Sequence, residues 1–435
     1  MERFCFLRDA SDFLGMCYYL PSKMSLSLYL VFLVFELHCA SLKNSEGSST
    51  CHFPQQNATL YKMSSINADF AFNLYRNFTV EIPDRNIFFS PVSISASLAM
   101  LSLGAFSSTQ TQILESLGFN LTDTPMTEIQ QGFQHLICSL NFPKKDLELR
   151  MGNALFIGKQ FKLLAQFLDD VKSLYETEVF STDFSNVSAA QQDINTYVEK
   201  QTKRKDVGLI QDLKPNTVMI LVNYINFQAQ WENPFAPSKT EEGSSFLVDK
   251  TTMVKVPMMH QTEQYYHLVD TELNCTVLQM DYTKNALALF VLPNKGHMER
   301  VEWAMSSKTL KKWNHLLQKG WIDLFVPKFS ISASYDLGSI LPNMGIQDVF
   351  AENADFPGLT ENSGLKLSRA AHKAVLHIGE MGTEEETVPE VKFLDQPKIT
   401  LHPIIQFDRS FILLILEKST RSILFLGKVV DPTEV

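Results

Sequence analysis

The feature that most constrains this chain is a long polar segment close to its carboxyl end, Glu380–Pro403. It reads EMGTEEETVPEVKFLDQPKITLHP, contains three prolines, and separates the apolar runs Leu376–Ile378 and Phe411–Leu416. Loops longer than about 12–15 residues without structure of their own are usually functional or disordered. Because so little chain follows this segment, most of the domain must be built from the residues before it.

The amino terminus predicts a secreted protein. Leu26–Leu37 is an apolar run of the length found in signal-peptide cores and is too short for a comfortable membrane span. Lys23 supplies a positive charge before the run, and small residues follow it. We therefore expect residues 1–39 to be a signal peptide, with Met24 as a candidate true start behind an upstream extension, and residues 40–58 to be flexible. The alternative is an interfacial helix or anchor.

Glycosylation acceptors support secretion. Five Asn-x-Ser/Thr sequons occur in the chain, and none has proline at its middle position. Behind a signal peptide, such sequons are typical of a glycosylated surface. We expect glycans at Asn57, Asn77, Asn120, Asn186 and Asn274.

The composition excludes several classes of function. With 435 residues, 45% of them hydrophobic, the chain can bury a large core. A net charge of −10 argues against a nucleic-acid partner. Three cysteines remain behind the leader, too few for a disulfide framework, and no Cys or His spacing is typical of a zinc site. We expect a monomer with no metal, cofactor or membrane partner.

The hydrophobic pattern places helices mostly first and strands mostly later, which predicts one large α+β domain over residues 59–435. Ser90-Pro91 is typical of a helix start, because serine caps the helix and proline suits its first turn. Val218–Phe227 is almost continuously apolar, which is typical of a strand buried on both faces. The other expected helices start near Leu60 and cover 161–180, 189–202 and 298–319, with short helical or turn segments at Leu337–Met344 and Ala370–Ala374. The other expected strands are Leu147–Ile157, 246–260, 265–270, 275–282, 286–292, Trp321–Phe329, Ile404–Phe407, Phe411–Leu416 and Ile423–Val429.

Several segments resemble the serpin family, from about residue 60 to the end of the chain. They are NIFFSPVS (86–93), LVNYINF (221–227) with Trp231, PKF (327–329), DFPG (355–358), and IQFDRSF (405–411) with LGKV (426–429). The resemblance implies a fold of three β-sheets and about eight or nine helices, with residues 380–403 as an exposed reactive-centre loop. In inhibitory members a protease cleaves this loop, and its hinge then inserts as a new central strand.

The hinge sequence argues against inhibition. Gly382 and Thr383 match the family, but three glutamates follow where the family has small residues. If Thr383 points inward, so do Glu385 and Pro389, because strand side chains alternate. Burying an ionised Glu385 costs several kcal/mol or forces its protonation, and Pro389 would remove a ladder hydrogen bond.

Family spacing puts the remnant of the reactive bond near Gln396 and Pro397, and a bond before proline is a poor protease substrate. Insertion of the first part of the loop, through Thr383, stays open. The resemblance implies that such partial insertion tunes ligand affinity, which would make the loop a regulator. A protease that cleaves the loop is a further expected partner.

A candidate ligand site follows from the pattern of residues 306–318. Leu310, Trp313, Asn314 and Leu317 recur at helical spacing and share one face, with Lys311 on its flank. An amide and a cation beside leucines suit an amphipathic ligand. The simpler interpretation makes Asn314 a boundary residue bonded to backbone or water.

Three further runs, NATLYKMSSINADFAFNLYR (57–76), HLICSLNFPKK (135–145) and SSKTLKKWN (306–314), resemble family members that carry thyroid hormone. This resemblance implies thyroxine and triiodothyronine as ligands. By matching motifs, it implies that the hormone contacts Ser64, Ser65, Gln279, Leu287, Leu310, Lys311, Asn314, Leu317, Lys418 and Arg421. At Lys418 the chain departs from those members, which carry arginine there. Lysine lacks the planar fork of arginine and stacks less well on rings.

Two other functions remain open from the sequence. One is a serine protease inhibitor acting through the 380–403 loop, and the other is a carrier of another small hydrophobic hormone, such as a steroid. Catalysis is not expected, because no nucleophile elbow or paired-carboxylate motif accompanies His372 and His377. We interpret these two histidines as structural.

Overall fold

The computed structural model describes residues 57–141, 147–202, 208–383 and 402–434. Within these ranges the chain forms eight α-helices. They are α1 (Asn57–Glu81), α2 (Pro91–Ser102), α3 (Ser107–Ser116), α4 (Met126–Asn141), α5 (Ala165–Tyr175), α6 (Val187–Thr202), α7 (Met298–Ala304) and α8 (Ser307–Leu316). None of these described helices has the length and hydropathy of a membrane span. The described residues, from 57 onward, belong to one compact unit.

The same ranges contain 14 β-strands. They are β1 (Ile87–Phe89), β2 (Leu147–Gly158), β3 (Glu178–Thr182), β4 (Met219–Ala229), β5 (Glu241–Leu247), β6 (Met253–Asp270), β7 (Cys275–Asp281), β8 (Ala286–Pro293), β9 (Gln318–Pro327), β10 (Phe329–Asp336), β11 (Arg369–Ile378), β12 (Ile404–Gln406), β13 (Phe411–Glu417) and β14 (Ser422–Val429). They form a nine-stranded and a five-stranded hydrogen-bonded sheet. The 18-residue strand β6 pairs with β5, β7 and β9, and so joins two halves of the larger sheet. Two of the three expected sheets are therefore continuous through β6.

The five-stranded sheet has the order β10-β11-β4-β2-β3. Ten of the 11 residues of β4 are buried, as the apolar run from Val218 to Phe227 predicts. The expectation of a helical or turn segment at Ala370–Ala374 was wrong. These residues lie in β11, which pairs antiparallel with β10 and parallel with β4. Alanine favours helices in isolation, but a fully paired and buried central position outweighs that preference.

Two helix predictions were too long. The helix expected over 298–319 is two helices, α7 and α8, and β9 already begins at Gln318. The helix expected over 161–180 ends at Tyr175, because Glu176 adopts a left-handed conformation with φ +51°. Strand β3 follows immediately. In both places the backbone leaves the helical conformation locally, and hydrophobic periodicity does not indicate where a helix ends in this way.

A group of buried polar residues, the buried cluster, ties helix α2 to the five-stranded sheet. It consists of Ser90, Ser93, Asn153, Asn223 and His372. The Ser90 N–H donates to His372 Nε2 at 3.0 Å, and His372 Nδ1 lies 2.5 Å from Asn223 Oδ1. Asn223 Nδ2 donates to Ser93 Oγ and Asn153 Oδ1, both at 2.6 Å. Burial lowers the pKa of His372 to about 3, with a further contribution from Lys373. His372 is therefore a neutral structural residue.

Candidate functional site

Helix α8 carries three of the predicted ligand contacts, Leu310, Lys311 and Asn314, and the fourth, Leu317, directly follows it. Carboxylates on two other elements hold this helix in place. At its start, Asp69 of α1 accepts from both the N–H and the Oγ of Ser307, each at 3.1 Å. Further along, Asp270 at the end of β6 accepts from Trp313 Nε1 at 2.8 Å and from Lys312 Nζ at 3.0 Å. The helix is therefore fixed against both α1 and the larger sheet.

Asp270 is ionised in this arrangement. Its side chain is buried, and burial opposes ionisation. Hydrogen bonds from Trp313, from the Leu273 N–H and from Lys312 outweigh that effect and hold the pKa of Asp270 below its ordinary value. A buried carboxylate held in this way fixes both the position and the rotation of α8.

The face of α8 differs from the sequence interpretation in one respect. Trp313 is fully buried, and Leu310 and Leu317 are half-buried against the core. Asn314 and Lys311 are exposed. Asn314 therefore lies at the boundary of the apolar stripe, where its amide faces outward.

Strand register brings the predicted sheet residues together. Gln279 on β7 pairs with Leu289 on β8, and Leu287 pairs with both Asp281 on β7 and Leu416 on β13. Residues two apart on a strand share a face. Gln279, Asp281, Leu287 and Leu416 therefore form one continuous surface, with two leucines beside an amide and a carboxylate.

The hairpin between β13 and β14 places Lys418 and Arg421. The buried Glu417 carboxylate accepts from the N–H and the Oγ1 of Thr420, at 2.6 and 2.7 Å, which fixes the turn. Arg421 has φ +57°, and its carbonyl accepts from Ser64 Oγ of α1 at 2.9 Å. The hairpin is thus bonded directly to α1, and the side chains of both cations are exposed.

The polar groups of these elements bind one another. Lys418 Nζ lies 2.6 Å from Asp281 Oδ1, and Gln279 Nε2 donates to the same carboxylate at 3.1 and 3.2 Å. Lys311 Nζ donates to Ser65 Oγ at 3.4 Å. We call this group the site cluster: Ser64, Ser65, Gln279, Asp281, Lys311, Lys418 and Arg421. The sequence interpretation missed Asp281, although its position two residues after Gln279 in an alternating strand was a usable signal.

An open cleft adjoins this surface but does not coincide with it. The cleft is lined by Trp231, Glu232, Asn233, Gln264, Tyr265, Tyr266, Gln279, Met280, Asp281 and Lys319. Of the predicted ligand contacts only Gln279 lines it, so the other nine lie outside it. Among the described residues, no group of three metal-ligating side chains lies close enough to hold an ion.

The start of the loop is anchored at the end of strand β4. The N–H of Thr383 donates to the Ala229 carbonyl at 2.9 Å, and the N–H of Ala229 donates to Thr383 Oγ1 at 2.8 Å. Thr383 is buried, and Gly382 has φ +143°, a conformation that favours glycine. These contacts hold the start of the loop against the end of β4, and insertion through Thr383 stays a prediction. Glu385, Pro389, Gln396 and Pro397 lie outside the described residues.

The sequons lie in different environments. Asn120 and Asn186 are exposed, and Asn186 also accepts from the Ala189 N–H near the start of α6. Asn77 and Asn274 are half-buried, Asn77 on α1 and Asn274 in the turn between β6 and β7. The side chain of Asn57, the first residue of α1, lies outside the described part of the chain.

Comparison with known proteins places the chain in a family. The family model described as Serpin (serine protease inhibitor) matches residues 65–432. The chain belongs to the serpin family. The fold follows the solved serpin structures, which confirms the expected α+β architecture.

Individual serpins match over most of their length. The chain is 80% identical to thyroxine-binding globulin of Sus scrofa, over 94% of this chain and all of that protein. It is 77% identical to thyroxine-binding globulin of Homo sapiens, with the same coverage. A crystal structure of human thyroxine-binding globulin complexed with thyroxine matches with a TM-score of 0.83 and 78% identity, over 86% of this chain and all of that one.

Proposed function

We propose that this serpin is a secreted, non-inhibitory carrier of the thyroid hormones thyroxine and triiodothyronine. The observation that carries the proposal is the site cluster, whose contacts link α1 to α8, α1 to the β13–β14 hairpin, and the hairpin to β7. Leu287 pairs with Asp281 of this cluster, and Leu310 and Leu317 lie on α8 or directly after it. Several serpins that share most of this sequence are named for thyroxine binding. The protein acts by binding rather than by catalysis.

The chemistry of the site suits an iodinated aromatic amino acid. Leu287, Leu310 and Leu317 supply an apolar surface for the iodinated rings. The planar guanidinium of Arg421 is exposed and suited to stack on a ring, a contact of about 0.5–2 kcal/mol. Lys311 and Lys418 supply charge for a carboxylate or phenolate, and Asn314 supplies a hydrogen-bonding amide. These cations favour a ligand with acid groups over a neutral steroid.

The contacts around the hinge also support a regulatory role for the loop. The Trp231 N–H donates to the Met381 carbonyl at 2.8 Å, and the Trp231 ring stacks on Tyr282 at 4.3 Å between centroids. The Glu232 N–H donates to the Asp281 carbonyl at 2.8 Å, and Asp281 is paired with Lys418. A continuous series of contacts therefore runs from the hinge to the ligand site. Deeper insertion of the loop would shift β4 and, through this series, weaken hormone binding.

A second anchor holds the hinge in place. Glu380 is paired with Lys328 at 2.9 Å and accepts from Thr240 Oγ1 at 3.0 Å. Burial opposes ionisation of Glu380, but these contacts outweigh it and keep its pKa below the ordinary value. The loop is therefore held at two points before it leaves the described residues.

Equilibrium dialysis of labelled thyroxine against the secreted protein tests the proposal, with triiodothyronine as competitor. We expect saturable binding of one hormone per chain, which weakens after proteolytic nicking within residues 384–401. Unchanged binding after nicking would contradict the regulatory role of the loop, whereas the carrier function would still stand. No saturable binding, together with a detergent-stable complex with a serine protease, would favour the inhibitor instead.

Secretion and the domain boundaries belong to the same proposal. The exposed sequons Asn120 and Asn186 support passage through the secretory pathway. We propose that residues 1–39 are removed as a signal peptide and that the serpin domain covers 59–435. Mass spectrometry of the protein collected from the medium of expressing cells tests this, because it gives the mature amino terminus and the occupied sequons. An amino terminus before residue 40 would contradict the proposed cleavage.

A further inference from the structure

One side chain that the hormone-site interpretation does not include lies at the centre of the site cluster. Asp281 ends strand β7, and its carboxylate is bonded to both Lys418 Nζ, at 2.6 Å, and Gln279 Nε2. The Asp281 side chain is 19% exposed and that of Lys418 is 36% exposed. A single carboxylate therefore engages two of the groups that an anionic ligand would need.

Asp281 is fixed in this position by its backbone. It pairs with Leu287 across the β7–β8 ladder, and its carbonyl accepts from the Glu232 N–H at 2.8 Å. Lys418 is fixed as well, since its N–H donates to the Asn285 carbonyl at 2.8 Å. Neither main chain can move away without breaking the sheet or the hairpin, so the ion pair re-forms whenever the ligand leaves.

We propose that Asp281 is a specificity-determining residue that competes with the ligand's anionic group for Lys418. The inference rests on the proposed hormone site. Asp281 neutralises Lys418 while the site is empty, so binding of a carboxylate or phenolate must displace or share this contact. The residue therefore lowers the affinity for anionic hormone and limits how strongly the site discriminates by ligand charge.

The ion pair is of a kind that a ligand can displace. Partly exposed ion pairs contribute little to stability, because water screens them and holding the side chains costs conformational entropy. Opening the Asp281–Lys418 contact therefore costs the protein little, but it leaves a carboxylate close to the incoming anion. Like charges within a few ångströms repel, which adds to the cost of binding an anion here.

The variant Asp281→Asn tests the proposal, because the amide has nearly the same shape and keeps a hydrogen-bond acceptor for Gln279. The substitution alone would create an Asn-Tyr-Thr sequon, so it is made together with Thr283→Ala and compared with Thr283→Ala alone. We expect thyroxine to bind about twofold to fivefold more tightly, the change that a partly exposed ion pair supports. The gain must disappear in a Lys418→Gln background, since Asp281 acts through Lys418. A residue with a merely structural role would not show this dependence on a second side chain.

Two analogues identify which anionic group of the hormone meets Lys418. Decarboxylated thyroxine keeps the phenol, and the phenolic methyl ether of thyroxine keeps the carboxylate. For each analogue, the affinity of Asp281→Asn is compared with that of its Thr283→Ala reference. The analogue that shows no gain is the one that lacks the group that Lys418 contacts. A gain that is equal for thyroxine and for both analogues would overturn the proposal, because the effect would not depend on ligand charge.

Asp336→Asn is the matched control, because it makes the same chemical change in another partly exposed ion pair. Asp336 ends strand β10 of the five-stranded sheet, and its carboxylate lies 3.1 Å from Arg369 Nε. This variant should leave thyroxine affinity unchanged. Equal or weaker binding by Asp281→Asn, or an equal gain in the Lys418→Gln background, would contradict the inference while hormone binding itself stood. Absence of thyroxine binding by the unsubstituted chain would overturn both.

Discussion

The buried cluster and the site cluster are both built from hydrogen-bonded polar side chains, yet they have opposite consequences. In the buried cluster, Ser90, Asn223 and His372 are almost completely excluded from water. In the site cluster, Lys311 and Lys418 are exposed and Asp281 is half-buried. A buried group that loses its partner has no water to replace it, whereas an exposed group exchanges partners at little cost. The buried cluster therefore fixes the fold, and the site cluster can exchange its internal contacts for a ligand.

The largest effect that would separate the two clusters is expected from His372→Ala. It leaves the Ser90 N–H and the Asn223 amide without their buried partner, which should lower the free energy of unfolding by about 2–4 kcal/mol. Urea denaturation measures this, and thyroxine affinity of the folded fraction should not change. His377→Ala is the control on the same strand: His377 is only half-buried, so its loss should cost less. An equal loss of stability in His372→Ala and His377→Ala would contradict the distinction between buried and exposed polar contacts.

The pH dependence of stability sharpens the same contrast. The pKa of His372 is about 3 in the folded chain and about 6.5 in an unfolded one. The unfolded state therefore binds more protons at His372 between these values, so the contribution of His372 to stability falls as pH decreases below about 6.5. In His372→Gln this contribution is absent, so its stability should fall less steeply between pH 6.5 and 5. Parallel pH profiles of the two proteins would contradict a neutral buried His372.

Asp270 connects the fold to the site, so its loss should affect both. In Asp270→Ala the indole N–H of the buried Trp313 loses its acceptor, which should cost about 1–3 kcal/mol of stability. Thyroxine affinity should fall as well, because α8 is no longer held against β6. Glu272→Ala is the control, since Glu272 is exposed and is paired with Lys312 of the same helix. Thermal unfolding and hormone titration together give both numbers. An unaffected affinity would mean that the anchoring of α8 does not matter for binding.

The smallest effect is expected at Lys418, within the site cluster itself. Lys418→Arg should tighten thyroxine binding by up to about fivefold, because the fork of a guanidinium can bind Asp281 and the anionic group of the hormone at the same time. Thermal stability should change little, as for other exposed ion pairs. Hormone titration and thermal denaturation of the same preparation test both statements. An affinity identical to that of the unsubstituted chain would show that position 418 does not touch the ligand.

Much of the fold could be predicted from sequence, because its segments are locally consistent. The apolar run of β4 and the Ser90-Pro91 helix start each indicate one structure. Ala370–Ala374 failed because local preference favours a helix, and only the partners β4 and β10 make it a strand. Local sequence does not show which strands will pair with a given segment.

The candidate site was predictable in part for the same reason. Lys311 and Asn314 follow from the spacing on one helix, and the resemblance to serpins added the residues on α1 and the hairpin. Asp69, Asp270 and Asp281 were missed, because each acts through a partner on a distant element. Pairings of this kind depend on strand register and helix packing, which residue spacing does not report.

The most direct test of the proposed hormone site is a thyroxine titration of Leu287→Glu beside Leu168→Glu. Leu287 lies on the apolar surface of the site, and Leu168 is exposed on α5, which packs on α4 and β3 instead. An acid at 287 removes apolar contact and repels an anionic hormone, so affinity should fall by about tenfold or more, a loss of about 1.4 kcal/mol. Leu168→Glu should bind as the unsubstituted chain does. Equal affinities of the two variants would contradict the placement of the hormone between α1, α8 and the hairpin.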